Sequence, residues 1–85
     1  MQLRHSDYSE GQLDAIYAWD HAAGLAVDDA LDRIEERITN GAANYPTYDT
    51  PSGLASYLRV PARGKVFIIV WLAASPQYIY RIDEL

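Results

Sequence analysis

His5 and His21 are the only imidazoles in the chain, and no cysteine accompanies them. Acid–base or nucleophilic catalysis needs an imidazole within reach of a hydroxyl or a carboxylate. Asp20 and His21 are adjacent in sequence, and neighbours on a helix do not face each other. Exposed polar positions account for both histidines. No histidine–carboxylate grouping has metal-ligand spacing, and Gly41, Gly53 and Gly64 stand alone as turn glycines, not as a phosphate-cradling loop. The residues indicate no catalytic centre, no metal and no cofactor. Lack of cysteine also removes thiol chemistry and disulfides.

What remains is binding chemistry, in two patches. Arg59, Arg63, Lys65 and Arg81, with Tyr57 and Tyr80, form a basic and aromatic set suited to RNA, phosphate or an acidic partner segment. Phe67 and Trp71 add bulky apolar surface to it. The plainer alternative is solvated charge at strand ends, and alternation places Tyr57 with Arg59 but Arg81 opposite Tyr80. The second patch is the acidic series Asp28, Asp29, Asp32, Glu35 and Glu36, extended by Glu10, Asp14 and Asp20. Such a run is ordinarily the wet side of an amphipathic helix. Its sharper reading is a nucleic-acid-like surface that enters a basic groove on a target.

Length and charge frame both patches. Eighty-five residues make one domain, residues 1–85, with a thin core. The net charge of -5 is unevenly spread. Up to Ile38, Asp7, Glu10, Asp14, Asp20, Asp28, Asp29, Asp32, Glu35 and Glu36 outweigh Arg4, Arg33 and Arg37, giving -6. Beyond it, Arg59, Arg63, Lys65 and Arg81 exceed Asp49, Asp83 and Glu84, giving +1. The apolar run from Val66 to Ala74 is too short to span a bilayer, and no basic-then-apolar leader opens the chain, so a cytoplasmic location is expected.

The elements that position these residues are helical first and extended later. "MQLRHS" is a candidate opening strand. "SEGQLDAIYAWDHAAG" predicts a helix capped by Ser9 and ended by Gly24. Val27, Ala30, Leu31, Ile34 and Ile38 predict a second helix, with Asp28 and Asp29 in its first turn, Arg37 near its last, and Asn40-Gly41 as the stop. The two form an antiparallel hairpin. "NGAANYPTYDTPSG" reads as a loop, with Tyr45 and Tyr48 as anchors. "LASYLRV", "KVFIIVWLAA" and "YIYRIDEL" follow as strands of an antiparallel meander. In the middle strand, Val66, Ile68, Val70 and Leu72 face one way and Phe67, Ile69 and Trp71 the other. Two helices cover one face, so either the loop from Asn40 to Gly53 or another chain must cover the second.

This order of elements resembles the RelE/ParE superfamily of bacterial toxin-antitoxin toxins. "DDALDRIEERI" is similar to that family's second helix, "SGLASYLRV" to its first meander strand, and "RGKVFIIVWLAASPQYIYRI" to the strands that close the fold. The resemblance implies an α+β fold: a short N-terminal strand, an antiparallel helical hairpin and a three-stranded antiparallel meander. Its nucleases carry an arginine after the glycine-aromatic step of the central strand, whereas here Gly64 precedes Lys65, Val66 and Phe67, and the chain ends in "IDEL". Such toxins are also typically basic. The resemblance therefore implies a ParE-like, non-nuclease toxin that binds a protein such as DNA gyrase, with the ribosome as a further target, and is neutralised by an antitoxin. Direct nucleic-acid binding is not expected; a homodimer is compatible. The alternative is an acidic, non-enzymatic inhibitor or adaptor of phage or mobile-element origin.

Overall fold

The computed structural model describes residues 4–41, 44–51, 53–72 and 78–85. Its elements are β1 (Arg4–His5), α1 (Asp7–Trp19), α2 (His21–Thr39), β2 (Thr47–Thr50), β3 (Gly53–Ala62), β4 (Lys65–Leu72) and β5 (Tyr78–Glu84). This is an α+β domain, with two helices on one side of a five-stranded sheet ordered β1-β5-β4-β3-β2. β2 to β5 pair antiparallel, and β1 lies parallel to β5. The expected meander is present and enlarged by a strand at each edge. The remainder of the expected central strand and the following turn fall at 73–77, and the start of "MQLRHS" at 1–3, outside the described residues.

Both helix boundaries differ from expectation for local reasons. Ser6, not Ser9, caps α1: its Oγ accepts from the Ser9 amide at 2.9 Å. Ser9 is fully buried, and its hydroxyl donates to the carbonyls of Ser6 and Ile79. Asp20 ends α1 and starts α2 at once. Its amide donates to the Ile16 carbonyl, and its carboxylate accepts from the Ala23 amide at 3.2 Å. Gly24 is therefore not a helix stop but lies inside α2, where a Cβ would come within 2.3 Å of the Tyr17 ring. That close approach is what requires glycine. Asp28 and Asp29 consequently sit in the body of α2, while Arg37 occupies the last turn as expected.

The core lies between the helices and one face of the sheet. Ile16 of α1 and Ala23, Val27, Ala30, Leu31 and Ile34 of α2 meet Val60, Phe67, Ile69, Trp71, Ile79 and Ile82 of the strands. The Phe67-Ile69-Trp71 face is thus the helix-covered one. The stretch read as a loop contains β2, which extends the sheet beside β3 through Thr47↔Ser56 to Thr50↔Gly53 and covers neither face. Tyr45 folds inward on the helix side, edge-on to Trp71 at a centroid distance of 5.0 Å.

Two local devices set which side chains reach the outer face. The β3–β4 turn is Arg63-Gly64, with φ of 53° and 82°, the two-residue geometry that suits the strand twist. An arginine in that region is strained, and Arg63 is held there by a bond from Nε to Asp20 at 3.1 Å. In β5 the register slips: Val70 faces Arg81 and Trp71 faces Ile79, leaving Tyr80 as an inserted residue. The bulge lets Ile79 and Ile82 both reach the core while Tyr78 and Arg81 both face outward.

Candidate partner-binding surface

The outer face of the sheet is laid out in rows across the strands. Tyr48, Ala55, Leu72, Tyr78 and Arg4 form one, Tyr57, Val70 and Arg81 the next, and Arg59, Ile68 and Asp83 a third. Among the described residues no second layer covers them. Long side chains shelter the floor instead, leaving Val70 only 3% exposed. The Tyr48 and Tyr57 rings meet edge-on at 5.8 Å, the Arg59 guanidinium lies 5.8 Å above Tyr57, and that of Arg81 lies 5.9 Å from the Tyr8 ring. Tyr and Arg over an aliphatic floor is the composition that carries most binding energy at protein interfaces.

Arg81 is ion-paired with Asp83, whose adjacent carboxylate raises the guanidinium pKa above its ordinary value. Alternation had separated Tyr80 from Arg81. The bulge instead brings both to one concavity of about 390 Å³, with Ser6, Tyr8 and Tyr78.

Not every sequence candidate joins this surface. Phe67 and Trp71 are 3% and 2% exposed, pack into the core on the helix side, and take no part in the outer face. Arg63 belongs to the turn and bonds Asp20. Lys65 lies on the helix side, 3.0 Å from Glu84 and 4.0 Å above the Trp19 ring. Tyr57, Arg59, Tyr80 and Arg81 remain available. The acidic series is divided as well. Asp28 accepts a hydrogen bond from the Tyr17 hydroxyl and Asp29 pairs with Arg33, while Asp32, Glu35 and Glu36 carry no ion pair among the described residues. The bond to Asp28, with loss of solvation and the Asp28 and Asp32 charges, pushes the Tyr17 phenol up to about 12.

A groove that the sequence did not reveal adjoins the outer face. It runs between α2 and β3 as two hollows of about 340 and 150 Å³ that share Ala30, Arg33 and Leu58 in their linings. Arg33 and Arg37, one turn apart on α2, line it, and Arg59 stands at its lip. The Arg37 guanidinium lies 5.7 Å from the Tyr45 ring. Only Asp29, already paired with Arg33, opposes these cations within the lining. The available signal was Ala26 and Ala30, four apart, which lower the wall of α2 beside β3.

Ser9 and His5 lie together at the start of α1. Ser9 donates to two carbonyls, and the His5 ring lies 3.5 Å from its hydroxyl. No metal-binding cluster of His, Cys, Asp and Glu occurs among the described residues, and none of their helices is long and apolar enough to cross a membrane. Comparisons with family models, curated proteins and solved structures return no match to this chain.

Proposed function

We propose that this protein acts by binding other proteins, as a ParE-like toxin whose target is a protein such as DNA gyrase and whose antidote is an antitoxin segment. The observation that carries the reading is the union of the uncovered Tyr/Arg sheet face with the Arg33–Arg37–Arg59 groove. In a chain of net charge -5 this is a local concentration of guanidinium groups. It offers an acidic segment charge-assisted hydrogen bonds above an apolar floor. The succession of strand, helical hairpin and antiparallel strands supports the RelE/ParE likeness, although β2 is additional to the expected order. An acidic inhibitor surface keeps Asp32, Glu35 and Glu36, since Asp28 and Asp29 have partners within the chain, as Arg33 does in the groove.

Induced expression of the chain alone in a bacterial host tests this. Growth arrest is expected, and Arg37→Glu with Arg59→Glu should abolish it while far-ultraviolet circular dichroism stays native. Asp32→Lys with Glu36→Lys should leave arrest intact. Normal growth at high expression refutes the toxin reading, and arrest that survives the arginine reversals refutes the surface.

A further inference from the structure

A second surface, separate from the sheet face and groove, lies where α1 crosses the ends of β4 and β5. Gln12, Ala15, Ile16, Trp19, Lys65, Phe67, Ile82 and Glu84 line a cleft of about 220 Å³ there. Small-molecule sites run to roughly 300–1,000 Å³, so this one fits a single large side chain and not a cofactor. Its floor, Ile16, Phe67 and Ile82, is core surface reached past the small Ala15. Gln12 offers an incoming group little, since its amide is spent on β5: Oε1 accepts from the Ile82 amide at 2.6 Å and Nε2 donates to Asp83.

Trp19 is the anomaly. It is 46% exposed at the rim of an apolar cleft, tilted against Phe67 at 6.2 Å. Around it, charge alternates along one strip: Asp20 bonds Arg63, and Lys65 bonds Glu84. The strip is neutral in a chain of net charge -5, so copies can approach along it without the repulsion that opposes contact through their acidic helices. It is also self-complementary. Under a two-fold axis, Lys65 of one copy meets the partner copy's glutamate and the reverse pair forms by symmetry, joining the two internal pairs into a four-charge ring. The same operation lays each exposed indole against the other copy's cleft.

The geometry points to this strip as an isologous homodimer interface, with Trp19 as the anchor and Lys65 and Glu84 as its charge lock. A monomer with 5159 Å² of surface can give only a small contact through such a strip, so the dimer is weak and concentration-dependent.

Sedimentation of the full chain across a concentration series should show a monomer–dimer equilibrium in the micromolar range. Trp19 emission should move to shorter wavelength as the dimer forms, while Trp71 is already buried. Trp19→Ala should abolish dimerisation with secondary structure retained. Lys65→Glu and Glu84→Lys should each weaken it about tenfold or more, because like charges then face each other across the axis. Mixed, these two variants should form a heterodimer at least as tight as wild type, a recovery that loss of folding cannot mimic. A wild-type chain still monomeric near ~1 mM, a dimer indifferent to these substitutions, or charge variants that fail to pair on mixing would overturn the proposal.

Discussion

Gly24→Ala should destabilise the protein although it places the best helix former in the interior of a helix. A glycine-to-alanine change there ordinarily adds roughly 1 kcal/mol. Here the new methyl lies 2.3 Å from Cδ1, 2.4 Å from Cγ and 2.6 Å from Cε1 of Tyr17, so it strikes the root of the ring as well as its edge. The ring has little room to swing, since its hydroxyl is bonded to Asp28 and its face leans on His21 at 5.3 Å. Overpacking costs roughly 1–3 kcal/mol, and contacts this short belong at the upper end. The net loss is then about 2 kcal/mol, which lowers Tm by roughly 8–16 °C in a domain of this size. Thermal unfolding followed by circular dichroism measures it directly. In a Tyr17→Ala background the clash is gone, and the same Gly24→Ala change should reverse sign and stabilise by about 1 kcal/mol. Equal losses in both backgrounds would show that Tyr17 does not pack on Gly24 and that the helical hairpin crosses elsewhere.

Further expectations rest on single groups. Gln12→Ala should leave the Ile82 amide without its acceptor and cost roughly 1–3 kcal/mol, with faster exchange of that amide as the specific sign, because Ile82 is 1% exposed and Gln12 holds its N–H. Carboxyl titration by NMR should find Asp20 below the ordinary carboxylate value, held there chiefly by the Ala23 amide and secondarily by Arg63. Arg63→Ala should therefore restore only part of the shift. Since the folded pKa is depressed, the stabilisation is present above the unfolded value and is lost as pH falls through the folded one. Tyr17 has the opposite sign. With its phenol raised to about 12 from 10.0, its contribution is complete below pH 10 and disappears as pH rises toward 12. Asp28→Asn should bring the absorbance step of that phenol back down, and an unchanged step would mean that the bond to Asp28 is absent.

Periodicity made the helical hairpin and β3 legible, because burial on one side leaves a repeat in the sequence, while β-branched and aromatic content and the intervening turns marked β4 and β5. It failed where one residue serves two elements. Asp20 is the end of one helix and the cap of the next, so the junction has no linker to read, and Gly24 resembles a stop because its packing role involves a partner seven positions earlier. β2 was hidden by composition: Pro46 and Pro51 flank it, and Asp49 sits within it, features that mark an edge strand guarded against further pairing as readily as they mark a loop. The binding surface was legible in its residue types but not in its grouping. Arg33 is four residues from Asp29 and reads as half of a helix-surface pair, and nothing local places it across a groove from Arg59. The bulge at Tyr80 matters most, because it breaks the rule on which grouping by face depends. Without that inserted residue, Ile79 and Ile82 could not both be buried and Tyr78 could not share the outer face with Arg81. The slip in register that completes the core on one side of β5 therefore also assembles the aromatic and basic surface on the other.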